Sequence, residues 1–303
     1  MSSNTNFLAH FESHLLAEKR VAQNTFAAYK KDIDQLVEFL CAKKVEIRSC
    51  KTDDLKKFIG YLKRKGLNSK TIARKISTLK LFFGYLSEKF NISNSAESLI
   101  FPKHQKSFPS FLTEQEIEIL FKTAGEDESS RGIRNRVIIF LLYASGIRVS
   151  ELVNLTIDQI HFDTGFIRLM GKGNKERVIP LPKPMLELLR QYIDVIRRDF
   201  LPKKSIIKTD FLFISGFGKE VKPITRQSIW NILKKILMLS GIKKKVSPHS
   251  LRHSIATHLL KNGANLRSLQ MLLGHEQLST VQIYTHLDDS HLRIVYDKAH
   301  PRS

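Results

Sequence analysis

The sequence predicts a mainly α-helical chain with one small β-sheet, organised as a helical N-terminal bundle over residues 1–105 and a mixed α/β domain over residues 106–303. Three observations predict it. Apolar residues recur at helical spacing through residues 24–90. The stretch NISNSAESLIFPKHQKSFPS at 91–110 is rich in Asn, Ser and Pro and has no periodicity, which places a linker within 95–110. Further on, FIRLMGKGNKERVIPL at 166–181 alternates apolar residues on both sides of a Gly- and Lys-rich turn, the pattern of a β-hairpin in otherwise helical surroundings. With 303 residues and 42% hydrophobic content, the chain can fill two cores without disulfides.

In NTFAAYKKDIDQLVEFL, Phe26, Tyr29, Ile33, Val37 and Leu40 form one stripe, with Asn24 placed to cap the helix. The next helix, TDDLKKFIGYLKRKG, is expected to be capped by Thr52; Asp53 and Asp54 open it and Lys63, Arg64, Lys65 and Gly66 close it, so both ends suit the helix dipole. A third helix from about Lys70 to Phe90 buries Ile72, Ile76, Leu79, Phe83 and Leu86. Lys70, Arg74 and Lys75 are expected elsewhere on its surface, on a basic outer face. Past the linker, Thr113 and Glu116 form a capping box. The acidic loop GEDESS leads to an apolar helix ending in ASG at 144–146. After the hairpin comes a short apolar FLFIS, and from Thr225 onward the pattern is helical again.

Charge narrows the function. Fifty Lys and Arg against 29 Asp and Glu leave +21, a costly self-repulsion unless a polyanion screens it. Nucleic acid is the expected partner, ahead of an anionic membrane or solubility alone. The basic residues are spread through folded segments, which favours a protein that encloses its nucleic acid. Cys41 and Cys50 form neither a disulfide framework nor a thiolate metal site, so a reducing cytoplasm fits. The N-terminus has no basic-then-apolar leader pattern, and the most apolar run, VIIFLLYA at 137–144, is too short to span a bilayer, so no membrane role is expected.

Five places could carry chemistry. Arg148, in SGIRVSELVNL, begins a helix with Glu151 three residues on; the pair is either a surface salt bridge or an arginine aimed by a carboxylate at a phosphate. Lys172, in GKGNKER, is either a solvated turn lysine or an ammonium donor delivered by a hairpin tip. In HSLRH at 249–253, His249 and His253 have the spacing of half a zinc site. Ser250 stands where the familiar metal signature needs glutamate, however, and Arg252 repels a cation and attracts an anion. Ser247 and Pro248 supply the N-cap and first helical residue, so His249 and Arg252 share a first turn whose backbone donors also favour an anion. His253 is expected to pack and hydrogen-bond inside the fold. His275, after Gly274, suits a helix C-terminus, and Tyr284, in STVQIYTHL, by default fills a core.

Together these positions resemble the tyrosine recombinase family. Its signature is an Arg after a small residue and Gly, a Lys in a β-hairpin, a His-x-x-Arg at a helix start, a His or Trp after Leu-Gly, and a Tyr nine residues later. Here these are Arg148, Lys172, His249 with Arg252, His275 and Tyr284. The wording SPHSLRHSIATHLL and MLLGHEQLSTVQIYTHL is most similar to bacterial Xer recombinases of the XerC and XerD type, and the likeness spans nearly the whole chain. It implies that the bundle is a core-binding, SAM-like domain, with Lys70, Arg74 and Lys75 as candidate DNA contacts, and that residues 106–303 form the catalytic domain, with Glu151 and His253 in support.

The resemblance implies that Tyr284 attacks a DNA phosphodiester, leaving a 3′ phosphotyrosine and a free 5′ hydroxyl. Arg148 and Arg252 would hold nonbridging oxygens, His249 and His275 would add donors, and Lys172 would protonate the leaving oxygen, with no residue implied as the base for Tyr284. One phosphoester replaces another, so neither ATP nor a metal or other cofactor is expected. Also implied are duplex DNA with two inverted half-sites, a tetrameric synapse with itself or a second Xer-type recombinase, a Holliday junction, a septal DNA translocase as helper, and a role in resolving chromosome or plasmid dimers at cell division. Two other readings stand beside this one. An integrase of a phage or mobile element would use the same site, although no added arm-binding N-terminal domain is expected here. A non-catalytic helix-turn-helix protein would use residues 250–273 and leave Lys172 and Tyr284 without a role. In the C-terminal DDSHLRIVYDKAHPRS, Leu292, Ile294 and Val295 form an apolar patch that either packs on its own domain or, as the family suggests, docks on a neighbouring protomer.

Overall fold

A computed structural model describes residues 2–19, 21–102, 111–170, 176–201, 209–215, 221–273, 293 and 296–301. The chain divides into two compact units, Met1–Ser107 and Phe108–Ser303. Among the described residues no helix is long and apolar enough to cross a membrane.

The first unit is all helical: α1 (Ser2–Ser13), a π-helical turn (His14–Glu18), α2 (Gln23–Ala42), a 3-10 turn (Ile47–Ser49), α3 (Thr52–Arg64) and α4 (Ser69–Phe90). Its core is aromatic and leucine-rich, with Phe11, Leu15, Leu36, Leu40, Phe58, Phe82 and Phe83 buried together. Helix α1 lies outside the helices expected from the sequence, although Phe7, Phe11 and Leu15 recur at one-turn spacing and all three are buried.

Two caps differ from expectation. Helix α2 begins at Gln23 with Ala22 at its N-cap, so Asn24 falls inside the first turn. Thr52 is the first residue of α3, its hydroxyl donates to the Ser95 carbonyl (2.9 Å), and the Asp54 carboxylate accepts the Lys51 N–H (3.1 Å). Asn68 caps α4 by accepting the Thr71 N–H (2.8 Å), and α4 ends on Asn91 in the left-handed region.

The expectation for Lys75 is corrected as well. Lys75 is 4% exposed, and its ammonium donates to Asp32 (2.7 Å) and Gln35 (2.5 Å) on α2. Asp32, 1% exposed, also accepts from Thr78 (3.1 Å) and from Arg74. A buried carboxylate needs a countercharge, and Lys75 supplies it at the α2–α4 interface in place of facing solvent. Lys70 and the Arg74 side chain are exposed as expected.

In the second unit, α5 (Glu114–Gly125) starts with the expected box: Thr113 accepts the Glu116 N–H (3.2 Å) and Glu116 accepts the Thr113 N–H (2.7 Å). The apolar α6 (Ser130–Ser145) runs through the core against α5, α8 (Lys183–Asp194), α9 (Arg226–Leu239) and α10 (Pro248–Lys261). Between them come the short α7 (Val149–Val153) and an antiparallel sheet of β1 (Ile160–His161), β2 (Phe166–Met170) and β3 (Glu176–Pro180), in the order β1-β2-β3. The β2–β3 register pairs Ile167 with Ile179 and Leu169 with Arg177. FLFIS contributes only single bridges, Thr156 to Phe211 and Ile214 to Pro223. Helix α11 (Leu266–Leu273) follows α10.

Near the C-terminus, Tyr296 and Ala299 are buried in the core of this same unit, and the Tyr296 hydroxyl donates to the Ala144 carbonyl (2.7 Å) at the end of α6. These residues follow the packing-on-its-own-domain reading. Leu292, Ile294 and Val295 lie outside the described residues.

Candidate active site

The site begins where α6 ends. Ser145 accepts the Ile147 N–H (3.2 Å), and Gly146 takes the left-handed conformation at φ 57°, turning the chain so that Arg148 opens α7. A Cβ on residue 146 would lie 2.9 Å from Leu273 Cδ2 and 3.3 Å from Ile255 Cγ2, so the turn needs glycine for its backbone conformation and for its space.

Arg252 reaches this turn from α10. Ser247 caps that helix by accepting the Ser250 N–H (3.2 Å), and Pro248 is its first residue, which sets Arg252 at the end of the first turn as expected. Arg252 is 4% exposed, and its guanidinium donates to the carbonyls of Gly146 and Leu273. It therefore ties together the end of α6, the start of α10 and the end of α11. Burial, joined by the positive charges of Arg148 and Arg177 and opposed by Glu151, lowers its pKa to about 10.

Glu151 organises the other side. It accepts the Arg148 backbone N–H (2.7 Å) and one bond from the Arg148 guanidinium (3.0 Å). Arg177 of β3 donates to both Glu151 oxygens at 2.7 Å each, a bidentate fork. Burial raises the Glu151 pKa, but the Arg177 hydrogen bond, the Arg148 N–H and the Arg177 charge outweigh it and hold the carboxyl below its ordinary range. The Arg148–Glu151 pair is thus part of a network in which Arg148 and Arg177 both bond one carboxylate and the Arg252 charge is felt alongside them, leaving a surplus of two positive charges. Such a surplus in a partly desolvated place favours an anion.

Of the residues expected to act, Arg148, Glu151 and Arg252 meet in this network, and His249 stands exposed on the first turn of α10, three residues before Arg252. Lys172, His275 and Tyr284 lie outside the described residues; β2 and β3 precede and follow residues 171–175 in the chain. His253 is half-buried, edge-on to Phe111 at 6.1 Å between ring centres. His258 instead hydrogen-bonds within the core, its Nδ1 2.9 Å from the Tyr143 hydroxyl. Among the described residues no three His, Cys, Asp or Glu side chains are grouped as a metal would need.

Arg177 is the residue that sequence reasoning missed. A signal for it existed: alternation puts Arg177 on the same face of β3 as the buried Ile179, and a cation on an apolar face needs a buried partner.

Comparison with known proteins shows the family. Residues 110–291 match the Phage integrase family, and residues 8–89 match the Phage integrase N-terminal SAM-like domain. The chain is 38% identical over 288 residues to tyrosine recombinase XerD of Staphylococcus saprophyticus, covering 94% of this chain and 95% of that relative. It is 38% identical over 296 residues to tyrosine recombinase XerD of Listeria innocua, covering 97% and 98%. Among solved structures, XerH site-specific recombinase bound to difH substrate in a pre-cleavage complex superposes with a TM-score of 0.67 at 26% identity, covering 89% of this chain and 78% of that one. The Tn1549 transposon integrase with a circular intermediate DNA gives 0.70 at 19% identity, covering 96% and 94%, a likeness of fold.

Proposed function

The chain belongs to the phage integrase family and is a tyrosine site-specific recombinase; from that premise we propose that it exchanges DNA strands through a covalent 3′ phosphotyrosine and a Holliday junction, resolving chromosome or plasmid dimers at cell division. The observation that carries this reading is the arginine surplus around Glu151, because the chemistry needs positive charge where a phosphorane gains a negative one.

In this mechanism the Tyr284 oxygen attacks phosphorus, the bond from phosphorus to the 5′ oxygen breaks, and that oxygen takes a proton from Lys172. Arg148 and Arg252 hold nonbridging oxygens, with His249 and His275 as further donors. Arg252 is locked to two backbone carbonyls, so it is oriented before DNA arrives. The reverse step conserves the phosphoester, which leaves no energetic need for ATP. Two protomers bind inverted half-sites and four form the synapse, with itself or a second Xer-type recombinase, in the cytoplasm and with a septal DNA translocase as helper. Lys70 and Arg74 are the proposed DNA contacts of the first unit. Lys75, committed to Asp32, acts by holding α4 in place.

The test begins by retaining fragmented genomic DNA on the protein and sequencing what binds. A nicked duplex carrying the selected site should give a denaturation-resistant adduct with the wild-type protein in EDTA, and Tyr284→Phe should bind the same duplex and give none. An adduct formed by Tyr284→Phe overturns the assignment of the nucleophile, and loss of adduct in EDTA overturns metal independence.

A further inference from the structure

We propose that Arg177 is a positioning residue for Arg148, acting through Glu151: it neutralises the carboxylate so that Glu151 orients Arg148 without competing with DNA for its charge. The inference rests on the strand-exchange reading above and adds a residue to that site.

A carboxylate beside a phosphate-binding arginine has two effects. It fixes the guanidinium in direction, and it satisfies the same charge that the phosphate must use. Which effect wins depends on what else the carboxylate holds. Here the Arg148–Glu151 contact is a single bond of 3.0 Å, whereas Arg177 takes both oxygens at 2.7 Å. The Arg177 side chain is only 10% exposed against 42% for Arg148, so the pair with the shorter bonds is also the less screened one. Glu151 is therefore spent mainly on Arg177, and Arg148 keeps its direction and most of its charge.

Without Arg177, the half-buried carboxylate would have Arg148 as its remaining guanidinium partner in this network, and the Arg148–Glu151 pair would close at the expense of the phosphorane. A second role competes with this one. Arg177 stands on β3 five residues after Lys172, so it could serve only to anchor the strand that follows that lysine.

Chemically altered substrates separate the two. A methylphosphonate at the scissile position replaces a charged nonbridging oxygen by methyl and relieves the demand on Arg148. A bridging 5′ sulfur leaves without a proton and relieves the demand on Lys172. Rates on the ordinary, methylphosphonate and 5′-sulfur versions of the selected nicked site are measured for the full-length wild type, Arg177→Ala, Arg177→Lys and the double variant Arg177→Ala/Glu151→Gln. Ratios are taken within each preparation, which cancels the folded fraction.

Arg177→Ala should lower the ratio of ordinary to methylphosphonate cleavage by about tenfold or more, with its 5′-sulfur ratio unchanged. The double variant, which removes the uncompensated carboxylate and leaves a neutral amide beside Arg148, should regain most of that loss, and Arg177→Lys should fall between. An unchanged methylphosphonate ratio in Arg177→Ala, or a defect removed by the 5′ sulfur instead, overturns the proposal and leaves Arg177 as a hairpin anchor. If the wild type itself forms no adduct on the selected site, it is the recombinase mechanism that fails.

Discussion

The Arg252 guanidinium donates to the carbonyl of Gly146, so the arginine at the start of α10 grips the turn that presents Arg148. The two candidate phosphate ligands are coupled through one glycine, and substitution of that glycine should be felt at both. Gly146→Ala would force a side chain into the left-handed region at φ 57° and against Leu273 and Ile255. A loss of about 1–3 kcal/mol in urea unfolding is expected, together with a cleavage defect that persists when the protein is fully folded. Full activity at unchanged stability would show that the turn relaxes freely.

The buried Lys75 and the exposed Lys70 lie about 1.4 turns apart on α4 and should respond in opposite ways. Lys75→Ala strips Asp32 of its buried ammonium partner and should destabilise the first unit by about 3 kcal/mol, measured by denaturant unfolding. Lys70→Ala should leave stability within about 0.5 kcal/mol and reduce the log-log salt slope of DNA binding by about 1. If both variants changed only the salt slope, the Lys75–Asp32 pair would have no structural weight.

Burial pushes the His258 imidazole below its ordinary value of 6.5, with the Glu114 charge opposing. The folded state then binds its proton less readily than the unfolded chain. The stability this contributes is complete above pH 6.5 and is lost as pH falls through that value toward the lower folded one. Wild-type protein should therefore lose more unfolding free energy than His258→Asn between about pH 7.5 and about pH 5. Parallel pH profiles for the two proteins would mean that His258 titrates alike folded and unfolded.

Lys172 is assigned from its place in GKGNKER, and its test is chemical. Lys172→Ala should slow cleavage of ordinary DNA by roughly a hundredfold to ten-thousandfold. A bridging 5′ sulfur should restore most of that rate, because a thiolate leaves unprotonated, while giving no comparable rescue to Arg148→Ala or Arg252→Ala. A Lys172→Ala defect equally large on the sulfur substrate would falsify the acid assignment.

Helices α2, α3 and α4 of the bundle, the Thr113–Glu116 box, the hairpin strands and the Ser247–Pro248 start of α10 were legible because each depends on residues a few positions apart. The same holds for the signature spacing: Arg148 with Glu151 and His249 with Arg252 each lie within one turn, so a local pattern places both pairs on their helices. Apolar period, caps and turn chemistry are short-range forces, and they are written in order along the chain. Partner choice is different. Lys75 and Lys70 look alike on α4, and only the approach of α2, 43 residues away in sequence at Asp32, makes one an internal countercharge and leaves the other in solvent. Arg177 becomes part of the site only when β3 brings it to Glu151, 26 residues earlier, and His258, not His253, is buried with a hydrogen bond because α6 offers it the Tyr143 hydroxyl. A charged or polar side chain takes its state from the group that meets it after desolvation, and in a folded chain that group comes from a distant element.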